Sequence, residues 1–198
     1  MKRLVLASAS PRRQALLAQL GLEPAAIVPA GIDEAPHPGE LPRAHAERIA
    51  REKLNAARAE VGSDPDLVLL AADTVVAVGR RILPKAETVE TARQCLHLLS
   101  GRSHRVYTAV CIADHAKVRL RTSMTRVSLA RLSDADIEAY LATGDWHGKA
   151  GGYAIQGHAA AFIRNINGSY SGVVGLPLYE TANLLRAAGI NPYPHPAE

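Results

Sequence analysis

Two hydroxyls and two guanidinium groups crowd into the segment Ser8-Ala9-Ser10-Pro11-Arg12-Arg13. Pro11 suits the first position of a helix, where no N–H is required, and Ser10 suits the N-cap before it. The first turn of a helix carries unpaired N–H groups and partial positive charge, so Ser8, Ser10, Arg12 and Arg13 together describe an oxyanion site. The competing reading is a capped helix with surface arginines. No GxxxxGK[ST] pattern occurs, so this is not a Walker-type phosphate loop.

Asp73 is the second candidate. It closes the apolar run 67–72, and an acid at the end of a buried strand points into a crevice at the sheet's carboxyl end, where metal ligands and general bases sit; a capping or turn role is the alternative. Asp33 and Glu34 are adjacent acids in a loop flanked by glycine and proline, suited to Mg²⁺ or to solvent. Lys53 falls on or beside an apolar helical stripe, so it either snorkels to water or meets a bound anion. Lys85 is a loop cation after Arg80-Arg81. The eight histidines show no HExxH spacing and no GxSxG elbow occurs, which argues against zinc and acyl-transfer chemistry. Cys95 and Cys111 lie in apolar periodic stretches and read as small core residues.

Elements to position these residues are readable in the hydrophobic pattern. Leu4–Leu6 is a strand, Pro11 opens a helix that stops at Gly21, and a helix from Pro42 to about Glu60 carries the stripe Ala46, Ile49, Ala50, Leu54, Ala57. Extended chain continues from 67 to Val78, and a helix from about Thr88 to Leu99 stops at Gly101. Residues 104–113 and 117–131 form a long hairpin through Asp114-His115, with Val106, Val110, Ile112, Val118, Leu120, Val127 and Leu129 as its apolar positions. Ser133 and Asp136 form a capping box for a helix ending at Gly144. A turn-rich segment, 148–157, precedes a strand over 159–166, and Pro177 starts a last helix reaching Gly189.

The 198 residues suffice for one domain, set here at 1–191 with a loose proline-rich tail over 192–198. Net charge is +4 and the basic residues form no run longer than a pair, so nucleic-acid coating is not expected, while small anionic ligands stay open. Hydrophobic residues make up 47% and aromatics 4%, so the core must be aliphatic, and the composition argues against single-stranded nucleic-acid binding on an aromatic stacking platform. No segment is long and apolar enough to span a bilayer, and the N-terminal apolar run is too short for a secretory signal, so a soluble cytoplasmic protein is expected.

Five segments carry a resemblance. They are 6–13 (LASASPRR), 72–76 (ADTVV), 99–104 (LSGRSH), the pair Lys149-Ala150-Gly151 and Tyr153-Ala154-Ile155-Gln156-Gly157, and 168–178 (GSYSGVVGLPL). In this order, over nearly the whole chain, they resemble the Maf family of nucleoside triphosphate pyrophosphatases. The resemblance implies an α/β fold of the Maf/ITPase kind, an elongated mixed sheet flanked by helices with a deep central cleft. It also implies cleavage of a nucleoside triphosphate to the monophosphate and diphosphate with Mg²⁺ or Mn²⁺, and a cytoplasmic homodimer.

Arg12, Thr74 and Gln156 resemble the branch acting on dTTP and UTP; purine or 7-methyl-GTP hydrolysis, or a non-catalytic nucleotide- or nucleic-acid-binding regulator, are the alternatives. By position, Asp73 matches the family's catalytic acid, as metal ligand or as general base. Ser8, Arg12, Asp33, Lys53, Lys85 and Gln156 match its other pocket residues, Asp33 as a second metal ligand. Gln156 offers both a donor and an acceptor, complementary to the O4 and N3–H edge of uracil or thymine. Three positions depart from the family pattern. Pro84-Lys85-Ala86 replaces Gly-Lys-Pro, which restricts Leu83 instead of Lys85; Gly148 stands for a common Asp, and Gly172 for a usual Asn.

Overall fold

In the computed structural model, which describes residues 2–62, 64–115 and 117–193, the first apolar segment forms β1 (Arg3–Leu6) and the proline-led segment forms α1 (Pro11–Gln19). A short β2 (Ala26–Ile27), α2 (Pro42–Val61) and the twelve-residue β3 (Leu67–Val78) follow. Short strands β4 (Arg81–Ile82) and β5 (Lys85–Ala86) lead into α3 (Val89–Leu99). The hairpin is β6 (Ser103–Ala113) with β7 (Val118–Leu129). After it come α4 (Asp134–Ala142), β8 (Lys149–Ala150), a 3-10 turn (His158–Phe162), β9 (Ile163–Asn167), α5 (Tyr170–Val174) and α6 (Leu178–Ala187).

One mixed sheet runs in the order β2-β1-β3-β6-β7-β9, with β4 attached to β3 and a separate β5–β8 pair. Strands β1 and β2 are parallel to their neighbours, and the others are antiparallel. Alternation along β3 divides its side chains. Leu69, Ala71 and Val75 pack on one face against Ala46, Ala50 and Leu54 of α2, while Val68, Leu70 and Ala72 meet Leu16 and Leu17 of α1 and Leu184 and Leu185 of α6. A third cluster joins Leu96 and Leu99 of α3 and Ile137 and Tyr140 of α4 to Val106 and Val127. Each fully buried leucine contributes about 1.5–3 kcal/mol, so an aliphatic core holds the sheet with few aromatics. Cys95 and Cys111 are buried free thiols within it.

The site depends on one topological feature. β1 pairs with β3 only from Leu67 to Leu70, and β4 only at Ala77 and Val78. On that edge Ala71–Val75 has no strand partner among the described residues, while the other edge stays paired to β6 throughout. The sheet therefore opens around Asp73.

Four expectations from sequence need adjusting. Asp73 does not close its strand; β3 continues through it, because the alternation and the pairing with β6 persist to Ala77, and the crevice arises from the end of β1. Residues 158–162 form a 3-10 turn before β9 starts, since three alanines lack the β-branching that favours extended chain and Asp145 accepts from the His158 N–H at the turn's start. Val118 is exposed at the hairpin turn. Of the tail over 192–198, Pro192 and Tyr193 are described, the Tyr193 N–H donating to Leu20 O at 2.9 Å, and the rest lies outside the described residues.

Candidate active site

A cleft of about 510 Å³ opens over the unpaired edge of β3. Ser8, Ser10, Arg12, Arg13, Lys53, Asp73, Thr74, Lys85 and Gln156 all line it. Asp73 is on the α2 face of β3, and Lys53 is turned toward it from the apolar stripe of α2. Both are buried, at 4% and 7% exposure, and Lys53 Nζ donates to Asp73 Oδ1 at 2.8 Å. The same ammonium lies 2.9 Å from Glu34 Oε1, and Lys85 donates to the other Glu34 oxygen. Lys53 thus neither snorkels nor waits unpaired; it bridges two carboxylates. Burial opposes the charged form of Glu34, yet hydrogen bonds from Lys85 and Lys53 outweigh it and hold the carboxyl at about 2.

The helix-start segment divides its labour. Arg13 donates through Nε to Gly175 O and through Nη1 to Ser8 Oγ, both at 2.9 Å, and Ser8 Oγ also accepts from the Ser10 N–H. Arg13 therefore ties α1 to the end of α5 and sets the Ser8 hydroxyl. Burial lowers its pKa, with the Asp73 charge acting against that. Arg12 makes no hydrogen bond or ion pair among the described residues and stays charged within the cleft, although burial lowers its pKa too. Ser10 occupies the N-cap without a side-chain capping bond, which leaves its hydroxyl available. Thr74, on the opposite face of β3 from Asp73, is 3.1 Å from Thr108 Oγ1, which donates to Gly172 O at 2.7 Å.

Across the cleft, Lys85–Ala86 pairs antiparallel with Lys149–Ala150. Pro84 contributes its carbonyl to the Gly151 N–H, extending the β5–β8 pair, while Leu83 is buried with its N–H on Val76 O, so the chain on both sides of Pro84 is fixed and Lys85 is presented from β5. Gly148, at φ +64°, and Gly151, at φ +69°, take backbone conformations that favour glycine, and a Cβ on Gly151 would sit 2.8 Å from Val76 Cγ1. Gly172 donates its N–H to Ser169 Oγ, which caps α5. Gln156 is exposed and its amide has no partner among the described residues.

Asp33 is the residue that the structure does not bring into the cleft. It is exposed and accepts the Ala35 N–H at Oδ1, closing a local turn, while Glu34 takes the inward position. The loop holding both is fixed by Glu40, which accepts from Arg48 and from the His37 N–H, and by Arg48, which also donates to Ala35 O. Lys149 and Tyr153 line the cleft as well and were readable only as parts of motifs. Lys149 donates to His147 O, and burial together with the Arg12 charge lowers its pKa. The Tyr153 hydroxyl is 2.7 Å from His104 Nε2, a histidine that burial alone brings down to about 4.

The family model for Maf-like protein matches residues 3–188. The chain belongs to the Maf family. Among its relatives, the dTTP/UTP pyrophosphatase of Rhodopseudomonas palustris (strain HaA2) is 60% identical over 191 residues, 94% of this chain and 92% of that protein. The dTTP/UTP pyrophosphatase of Novosphingobium aromaticivorans is 58% identical over 189 residues, 95% and 92% of the two chains. A HAM1 protein from Coxiella burnetii shares the fold, with a TM-score of 0.52 and 18% identity over 95% of this chain and all of that one. The cleft of this Maf protein collects its charged side chains from distant segments onto one strand edge.

Proposed function

We propose that this protein hydrolyses dTTP and UTP to the monophosphate and pyrophosphate, with Asp73 as the catalytic residue. The observation that carries the reading is the Asp73–Lys53–Glu34–Lys85 chain of alternating charges, buried at Asp73 and Lys53 and open to solvent at Lys85, beside Arg12, which has no partner among the described residues. A triphosphate entering the cleft offers Lys53, Lys85 and Arg12 new anionic partners, which releases Asp73 and Glu34 from their lysines. Asp73 then has an oxygen free to orient a water and take its proton as the water oxygen attacks the α-phosphorus. The bond from that phosphorus to the β-bridging oxygen breaks, and charge grows on the departing pyrophosphate, where the lysines and Arg12 stabilise it. The Ser8 and Ser10 hydroxyls and the start of α1 add donors for the phosphates.

Glu34 and Asp73, bridged by one ammonium, fit a divalent cation that arrives with a triphosphate, since Mg²⁺ commonly takes one or two carboxylates and completes its shell with phosphate oxygens and water. Such an ion, Mg²⁺ or Mn²⁺, would polarise phosphoryl oxygens. Glu34 replaces Asp33 in this assignment because Asp33 faces away. Gln156 on the far wall reads the pyrimidine edge. A cytoplasmic homodimer of single-domain chains, bounded at 1–191, belongs to the same proposal and rests on the family resemblance.

Purified protein with Mg²⁺ and a panel of nucleoside triphosphates tests the proposal. Pyrophosphate is expected from dTTP and UTP well above ATP or GTP. Absence of release from both pyrimidine nucleotides overturns it.

A further inference from the structure

Arg3, Arg43, Arg48, Arg93 and Arg119 are all ion-paired to carboxylates. Arg102, Arg105, Arg126 and Arg164 are not, among the described residues, and none of the four lines the cleft. They meet on the β6–β7–β9 part of the sheet. Ser103 lies opposite Ser128, with the hydroxyls 2.7 Å apart, and Ser128 lies opposite Asn165, which makes a row of polar side chains across three strands. Two residues along the strands, Arg105 faces Arg126 and Arg126 faces Asn167, a second row on the same side. The other side of these strands sends Val106, Val127 and Leu129 into the core.

Like charges directly across a ladder destabilise a sheet, and among the described residues no carboxylate pairs with Arg105 or Arg126. Arg126 instead donates to Ser103 Oγ. The register then steps from Ser128 opposite Asn165 to Leu129 opposite Ile163, so Arg164 is the extra residue of a bulge, a device that re-aims a side chain. Arg164 and Arg102 flank the serine row and, with it and Asn165, line a groove of about 260 Å³.

We propose that this groove and the adjoining arginine row form a second anion site, which takes the di- or triphosphate group of a small molecule and leaves any base in solvent. Permanently charged guanidinium forks combined with hydroxyl and amide donors are the chemistry of phosphate recognition. Size selects the class. Two rows two residues apart over three strands span about 7 by 10 Å, enough for two or three phosphoryl groups and too short for a nucleic-acid track. The groove is smaller than the roughly 300–1,000 Å³ that encloses a whole ligand, and among the described residues no aromatic side chain lines it to stack a base.

Inorganic tripolyphosphate titrated into the full chain by calorimetry tests the site. Two binding events per chain are expected, the cleft and the groove. Arg164→Ala and Arg102→Ala should weaken one of them at least about tenfold, with nucleotide turnover unchanged, because each removes a charge-assisted hydrogen bond outside the cleft. A single event in the unaltered protein overturns the proposal, as do two events that neither variant disturbs. Single-stranded RNA that binds the groove more tightly as its length grows replaces it with a polymer track. A change of oligomeric state in Arg164→Glu replaces it with a protein contact. Loss of nucleotide turnover in either variant would assign the weakened event to the cleft and overturn the proposal.

Discussion

The two walls of the cleft are built by different means. On the N-terminal wall, Ser8, Arg13, Lys53 and Asp73 are buried or half-buried, and each is fixed by a hydrogen bond of 2.8 or 2.9 Å. The opposite wall rests on the two-residue strands β5 and β8 and on glycines at positive φ, and it presents exposed Lys85 and Gln156. The first wall is preorganised, which is what the proposed reaction requires of the groups that stabilise its transition state. The second offers side chains with few internal ties, whose replacement changes what binds before it changes how the fold holds. Under the proposed function, chemistry falls mainly on the first wall and selection on the second, with Lys85 reaching across to the phosphates.

The largest break in this division comes from Asp73→Asn. It removes the general base or metal carboxylate while Lys53 keeps Glu34 as its partner, so the protein should remain folded and lose at least about 100-fold in kcat. Circular dichroism with steady-state kinetics checks both halves, and near-normal turnover would reject the role assigned to the fixed wall. Gln156→Glu acts on the other wall. The exchanged carboxylate offers only acceptors to a pyrimidine edge, so kcat/KM for UTP should fall about tenfold, with thermal stability unchanged. A loss of stability in place of selectivity would mean that Gln156 is part of the scaffold.

The smallest expected effect concerns pH and the tie between the walls. Glu34 is held at about 2, below its ordinary value of 4.5, so its contribution to stability is complete above pH 4.5 and disappears as pH falls toward 2. Urea midpoints of the unaltered protein and Glu34→Gln should therefore converge between pH 4.5 and 2.5. Curves that stay parallel across that window would show that the lysine contacts of Glu34 do not stabilise the fold.

The sequence made the fixed wall far more legible than the loose one. Lys53 and Asp73 stand out because a charge interrupts a strong apolar period, in a helix and in a strand, and each period fixes the direction of the side chain. Asp33 and Glu34 sit in a loop without a period, so nothing local decides which of the neighbours turns inward; the clamp of Glu40 and Arg48 does, and it is a tertiary contact. Strands of two residues such as β5 and β8 carry no pattern at all. The same blindness hid the arginine groove, whose residues are spread from Arg102 to Arg164 and are gathered only by strand register and a bulge. A net charge of +4 with no basic run therefore says little about where the charge lies.

In the proposed reaction Asp73 directs water onto the α-phosphorus of a pyrimidine nucleoside triphosphate. Hydrolysis of dTTP in oxygen-18 water, followed by phosphorus NMR of the products, tests it most directly. The heavy oxygen is expected in the thymidine monophosphate, with unlabelled pyrophosphate released beside it and the rate collapsing in Asp73→Asn. Label in the pyrophosphate, or orthophosphate in place of pyrophosphate, would contradict the account.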